Sequence, residues 1–250
     1  MLKKILKVFK LPFRLAGYVS EFAKLRKLLG MGGFELSGFL LRIISSAGFR
    51  GRMNKLRRAA ISSSRDGLIG GWIYFIYGAA IYATIRHKRP EVVVETGVGP
   101  GSTSAFILKA LEDNGKGALY SIDLPGNDAV IYPQMGKAFN VHVPPGYAVG
   151  WLVPPELRHR WKLILGDSAK ELPKLMTKLG RVDVFLHDSL HTAEHIFMEF
   201  GVVLPFMGGA GVLLCDDVTP EWSMAFTELC KAKNIPYFIF SGRLGVAKIP

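Results

Sequence analysis

The stretch Val92-Val93-Val94-Glu95-Thr96-Gly97-Val98-Gly99-Pro100-Gly101-Ser102 decides the fold. A β-branched run ends in an acid, three glycines follow at every second position, and a helical pattern begins at once. The run fits a buried parallel strand. Glycines between a strand and a helix let a ligand approach the backbone closely. A dinucleotide fingerprint would read G-x-G-x-x-G, but here the third glycine comes one residue early and Ser102 stands in its place. Nicotinamide and flavin dinucleotides lose weight on that ground.

Working outward, short apolar runs alternate with longer helical patterns from residue 91 on, which predicts βαβ units and an α/β fold with a mostly parallel sheet. Strands are expected at Val92–Glu95, Ala118–Ile122, Lys162–Leu165, Val182–Leu186 and Val212–Cys215. Helices are expected at Ser102–Asp113, Ser168–Lys178, His191–Leu204 and Glu221–Lys233. The runs Pro236–Ser241 and Leu244–Ile249 flank Gly242-Arg243 as a closing antiparallel hairpin. The strand ends deliver polar groups to one edge of the sheet, where open α/β folds bind ligands. Asp123 ends the second strand, Gly166-Asp167-Ser168 follows the third, and His187-Asp188-Ser189-Leu190-His191 and Asp216-Asp217 follow the fourth and fifth. Asp167 also suits the N-cap of the next helix. Three carboxylates at one edge repel one another unless neutralised, and a hard divalent cation such as Mg²⁺ is the economical remedy.

Glu95-x-Gly97-x-Gly99-x-Gly101 resembles the cofactor loop of class I S-adenosylmethionine-dependent methyltransferases. The resemblance implies a Rossmann-like fold with a seven-stranded sheet. It also implies cofactor contacts from Glu95, Thr96, Gly97, Gly99, Gly101, Ser102, Asp123, Asp167 and Ser168, with Asp123 facing the ribose hydroxyls and Asp167 the adenine amine. The later motifs are similar to metal-dependent catechol-type O-methyltransferases, which makes Asp188, Asp216 and Asp217 the expected metal ligands, with Asp188 and His191 catalytic and His191 the general base. Asp217 stands where the catechol type has asparagine. Gly150-Trp151-Leu152-Val153-Pro154-Pro155 through Trp161, read on to His191, resembles family-24 methyltransferase domains over about residues 66–250. O-methylation of a hydroxyl on a small or amphiphilic acceptor is the implied reaction.

The net charge of +12 is unevenly placed: residues 1–65 hold fifteen Lys/Arg against Glu21 and Glu35, so the remaining chain is nearly neutral. That predicts a near-neutral globular body behind a basic helical extension, 1–65, rather than a basic protein throughout, and the resemblance implies that the body, 66–250, is the methyltransferase domain. In residues 1–15, Leu2, Ile5, Leu6, Phe9 and Phe13 recur at helical spacing among lysines, an amphipathic pattern suited to an anionic membrane surface. Packing of the extension on the body, and contact with nucleic acid as in an RNA methyltransferase, are the competing uses. A silent membrane-associated scaffold and a homo-oligomer are further readings. The run Gly70–Ile85 is too short to span a bilayer, for which roughly 20 residues are needed, and is expected as a buried helix. Cys215 and Cys230 form no C-x-x-C, which fits a reducing, cytoplasmic setting, peripheral to the membrane's inner face if the extension binds there. The long insert between the second and third strands, 126–160, with Tyr132, Phe139, Tyr147 and Trp151, is expected as a substrate lid.

Overall fold

The computed structural model describes residues 18–61, 72–125, 129–132, 137–140 and 146–250. Seven strands form one sheet: β1 (Val92–Thr96), β2 (Ala118–Asp123), β5 (Trp161–Leu165), β6 (Val182–His187), β7 (Met207–Cys215), β8 (Tyr237–Phe240) and β9 (Leu244–Lys248), in the order β5-β2-β1-β6-β7-β9-β8. β9 runs antiparallel to both its neighbours, and the other pairings are parallel. This is the expected Rossmann-like architecture with its closing hairpin. Strand order reverses beside β1, so the C-terminal ends of β1, β2 and β6 open a crevice there.

Period-two alternation sorts the strand residues into two apolar layers. Val93, Leu119, Val184, Leu186, Val212 and Leu214 face α4 (Trp72–Lys88) and α5 (Ser102–Asn114). Val94, Ile122, Phe185, Leu213 and Cys215 face α6 (Ser168–Leu179), α7 (Ala193–Val203) and α8 (Ala225–Ala232). The run expected as a buried helix is α4, whose Ala79 to Ala83 are sealed in the first layer.

The described part of the basic extension joins that layer. Its helices α1 (Tyr18–Leu29), α2 (Gly33–Ser45) and α3 (Ala47–Ile61) bury Phe22, Leu25, Leu29, Leu36, Leu40, Ile43 and Phe49 in the same cluster as α4 and α5. Each such side chain contributes about 1.5–3 kcal/mol when fully buried. The two acids of the extension tie it to the body: Glu21 Oε2 accepts from the Ser241 amide at 2.8 Å, and Glu35 Oε1 meets His87 Nδ1 at 2.9 Å. Arg42 adds a bond to Asp113 at 3.0 Å. The amphipathic stretch 1–15 lies outside the described residues, and among these no helix is long and apolar enough to cross a membrane.

Several boundaries differ from expectation. The helix expected from His191 starts at Ala193, because Thr192 caps it by accepting the His195 amide on its side chain; His191 therefore sits in the preceding turn. The helix expected from Glu221 starts at Ala225, since residues 219–222 close a turn through the Trp222 amide on the Thr219 carbonyl. β7 begins at Met207, five residues earlier than expected, where exposed glycines extend the strand past a bulge. The insert holds a small antiparallel pair, β3 (Ala129–Tyr132) with β4 (Lys137–Asn140). Its C-terminal part is not a free flap: Gly150 and Leu152 donate to the carbonyls of Gly99 and Pro100 at 2.8 Å each, and Trp151, Leu152 and Val153 are buried.

Candidate functional site

A cleft of about 510 Å³ opens at the C-terminal ends of β1, β2 and β6. Gly97, Val98, Gly99 and Pro100 form one wall, Asp123, Gly166, Asp167 and Ser168 the second, and Asp188, Ser189, Leu190, His191 and His195 the third. Of the residues expected at a cofactor site, Gly97, Gly99, Asp123, Asp167 and Ser168 thus share one cavity with Asp188 and His191.

The glycine loop has its shape for steric reasons. Gly97 has φ +80°, and a Cβ there would lie 1.8 Å from the Asp188 carbonyl oxygen. Gly101 has φ +86° and faces Gly150, its would-be Cβ 2.8 Å from that residue's Cα. Asp123 holds the loop from across the cleft: Oδ2 accepts from the Val98 and Gly99 amides at 3.1 and 2.8 Å, and Oδ1 from Leu124 at 2.8 Å. Burial pushes its carboxyl above the usual aspartate range, against the pull of those three amides. Asp167 is the N-cap of α6, accepting from Ala169 at 2.9 Å, while its residue still lines the cleft.

The other expected cofactor residues lie behind the wall. Glu95 is sealed beneath the loop, where Oε2 accepts from Ser104 and Ser121 Oγ at 2.7 Å each. Burial pushes its carboxyl up to about 7 despite those two donors. Thr96 Oγ1 donates to Glu199 at 2.5 Å, and Gly101 and Ser102 open α5.

Glu199 is a site residue that sequence reading missed. It is wholly buried on α7 and takes bonds from Thr96, His187 Nδ1 at 2.7 Å, Ser189 Oγ at 2.9 Å and His195 Nε2 at 2.9 Å. Burial alone would raise its carboxyl, but the hydrogen bonds from His187 and His195 outweigh it and hold the group well below the usual range. His195 lines the cleft and also meets Ser168 Oγ at 3.0 Å. The signal was available: a glutamate in the apolar stretch Ile196-Phe197-Met198-Glu199-Phe200, four residues after a histidine, shares that histidine's helix face.

At the third wall the acids do converge. Burial first, then the charges of Asp216, Asp217 and Glu95, raise Asp188 well above an ordinary aspartate, and its carboxyl hydrogen-bonds that of Asp216. His191 Nε2 stands 3.9 Å from Asp188 Oδ1 and 3.7 Å from Asp217 Oδ2. Its Nδ1 is buried without a partner, and the Trp222 ring lies 5.5 Å away. Burial, with His187 and Arg243 nearby, lowers His191 to about 3, so the ring is neutral at physiological pH.

The metal ligation expected of Asp188, Asp216 and Asp217 does not fit this arrangement. Arg243, from the turn between β8 and β9, forms an ion pair through Nε with Asp217 Oδ1 and stands 3.7 Å from Asp216 Oδ1. Among the described residues no group of three or more His, Cys, Asp or Glu side chains is arranged to hold a metal ion. Arg243 thus brings a positive charge of the chain's own to the acids for which the sequence suggested a cation.

The family whose description reads "Methyltransferase domain", of the family-24 type, matches residues 94–218, half of the chain and both sides of the cleft. The chain belongs to this methyltransferase family. No curated protein matches it by sequence. Among solved structures it is similar in fold to CalS11, a calicheamicin methyltransferase, at 14% identity and TM-score 0.53, over 80% of this chain and 91% of that one. The Bacillus cereus O-methyltransferase in complex with SAH gives 12%, TM-score 0.54, and coverage of 80% and 91%. TomG of Streptomyces achromogenes, an O-methyltransferase of tomaymycin synthesis in complex with SAM, gives 14%, TM-score 0.54, and coverage of 79% and 89%.

Proposed function

We propose that this methyltransferase uses S-adenosylmethionine to methylate a hydroxyl oxygen on a small or amphiphilic acceptor. One observation carries the reading: a single cleft joins a glycine loop tied to Asp123 with a buried histidine between carboxylates. Its volume suits a ligand of this size, small-molecule sites running to about 300–1,000 Å³. The bound cofactor supplies a methyl group already activated on a sulfonium. The residues to hold it are Gly97 and Gly99, whose lack of side chains admits the ligand to the backbone, Asp123 as acceptor for the ribose hydroxyls, and Asp167 and Ser168 at the base. SAM and SAH in the structures of TomG and the Bacillus cereus enzyme support this assignment.

The transfer then needs alignment of the acceptor and an outlet for its proton. Neutral His191 provides the outlet. The imidazole is a weak base, but the acceptor oxygen becomes strongly acidic as its bond to carbon forms, so the ring receives the proton late in the step. Asp188 and Asp217, each within 4 Å of Nε2, are the carboxylates nearest the positive charge that the ring gains. The Trp222 ring offers an apolar seat beside it, in keeping with an acceptor that has a hydrophobic body.

The test is calorimetric titration with S-adenosylhomocysteine, followed by methyl transfer from labelled cofactor to a panel of hydroxyl acceptors. Saturable binding that is lost in Asp123→Ala, with labelled methyl recovered in an ether, is the expected result. Absence of binding by the intact chain overturns the cofactor assignment and favours the scaffold reading.

A second reading concerns where the acceptor is met. Phe34, at the start of α2, is 80% exposed over an apolar groove that Val19, Ala23 and Arg26 help line, with Lys24 and Lys27 on the same helix as Arg26. Together with the lysines of 1–15, this supports contact with an anionic membrane surface. Cosedimentation with anionic but not zwitterionic vesicles, weakened in Phe34→Ala, is the expected outcome; preference for RNA over vesicles at physiological salt favours the RNA reading instead.

A further inference from the structure

We propose that Arg243 is the resident cation of the acid edge: the guanidinium takes, from within the chain, the place that Asp188, Asp216 and Asp217 would otherwise offer to a divalent metal. The inference deepens the reading of the same site given above, but its chemistry stands on the side chains alone.

The placement of Arg243 is built rather than incidental. Ser241 and Gly242 adopt φ +53° and +71°, the left-handed pair of a tight hairpin turn, and this sets Arg243 at the head of β9. The Arg243 carbonyl accepts from the Val218 amide at 2.8 Å, so the turn is fastened to the residue that follows Asp217. Glu21 of α1 accepts from the Ser241 amide at 2.8 Å, bracing the turn from the extension. On the acid side, Asp217 is a non-glycine residue at φ +55°, a conformation that costs about 1 kcal/mol or more and needs compensation from its surroundings. The ion pair with Arg243 is one such compensation.

The two oxygens of Asp217 are thereby divided. Oδ1 is taken by Arg243 Nε, while Oδ2 lies 3.7 Å from His191 Nε2. Arg243 is thus a positioning residue: it fixes the carboxylate that lies beside the histidine of the cleft. A divalent ion would need the same oxygen. Mg²⁺ requires near-octahedral oxygens at about 2.0–2.1 Å, a shell that a guanidinium seated on one ligand and beside a second disrupts. Because arginine keeps its proton at any physiological pH, the charge is permanent. Removing it leaves carboxylates without their counter-ion at one sheet edge, which is the composition of a hard-cation site.

The experiment titrates Mn²⁺, read by calorimetry and by the loss of the free-ion paramagnetic resonance signal, into the full chain and its variants. In the same preparations S-adenosylhomocysteine binding reports on the cofactor cleft. The intact chain is expected to take up no stoichiometric Mn²⁺, and Arg243→Ala to gain one Mn²⁺ per chain with at least tenfold tighter binding than the intact chain. The gained site is expected to vanish in Arg243→Ala combined with Asp217→Asn. Arg243→Lys, which keeps the charge, is expected to behave like the intact chain, and Arg243→Met replaces the alanine variant if that one does not fold. Stoichiometric Mn²⁺ on the intact chain that is lost in Asp217→Asn overturns the proposal. So does a folded Arg243→Ala or Arg243→Met that gains no site. Failure of every preparation to bind S-adenosylhomocysteine strikes the cofactor reading and leaves the manganese comparison to decide this one.

Discussion

The two ends of the cleft are built by different means. At the glycine-loop end the ligand-facing surface is backbone, shaped by Gly97 and Gly99, and the loop and the carboxylate that ties it both lie within residues 95–123. At the acid end the surface is side chains, collected from the end of β6, the turn before α7, the end of β7 and the β8–β9 turn, with α1 bracing from residue 21. A backbone site has no freedom to vary its residues without losing its shape. A side-chain site can exchange one charge for another, and here a guanidinium stands where the sequence pattern pointed to a metal.

The sharpest way to break this contrast is Gly97→Ala. The added Cβ meets the Asp188 carbonyl at 1.8 Å, and the backbone on both sides is fixed by the sheet, so neither the loop nor β6 can yield cheaply. A loss of about 4 kcal/mol in folding stability is expected from the clash and the positive φ together, at the upper end of single substitutions. Chemical denaturation checks it. A variant that folds with native stability would show that the loop end is as adaptable as the acid end.

The contrast also explains what could be read in advance. The strands, the glycine loop and Asp123 were legible because their signals are local: period-two runs, a glycine spacing, an acid at a strand end. The arrangement at the acid end was not. His191 was expected inside a helix, although Thr192, a good cap three residues before His195, marks the true start. Arg243 gave no signal, because its role depends on a hairpin carrying it across 26 residues of sequence to Asp217. The fate of the extension was hidden in the same way: a helix whose apolar face covers α4 and α5 has the pattern of one that faces lipid, and only tertiary packing separates them.

Glu199→Ala comes next in size and acts on both ends, since Glu199 binds Thr96 below the loop and Ser189 and His195 on the cleft wall. Loss of this buried acceptor strands four donors, for an expected cost of about 3 kcal/mol. Denaturation measures the cost. Equal weakening of S-adenosylhomocysteine binding and of methyl transfer would confirm one shared support; an effect confined to either end would divide it.

Asp123→Ala tests the loop end by itself. Two hydrogen bonds to a charged acceptor are at stake, each worth about 1.5–3 kcal/mol, so S-adenosylhomocysteine affinity is expected to fall by at least about 100-fold, enough to remove measurable saturation. Asp188→Ala is expected to leave that affinity within about threefold and to abolish most methyl transfer, because its carboxyl serves His191 and not the loop. The two variants exchanging these behaviours would reverse the assignment of the ends.

The smallest effect is expected at the far end of α5, the helix that begins at the glycine loop and carries Asp113 in its last turn, where the extension is fastened. Burial pushes the Asp113 carboxyl up, but hydrogen bonds from Arg42, Lys109 and Tyr82 outweigh it and hold the group at about 2. A carboxyl depressed in the folded state adds stability above its unfolded value, near 4, and loses it as pH falls through the folded one. Asp113→Asn is therefore expected to cost about 1–2 kcal/mol at pH 6–7, allowing for the solvent exposure of Arg42, and progressively less between pH 4 and pH 2. Urea titrations of the two proteins across that range should converge at the acid end. S-adenosylhomocysteine affinity at pH 7 should not change, because the loop is shaped by Gly97, Gly101 and Asp123, a full helix length from Asp113. A fall in affinity would mean that the extension, through Arg42 and α5, sets the geometry of the backbone end as it does, through Glu21, that of the acid end.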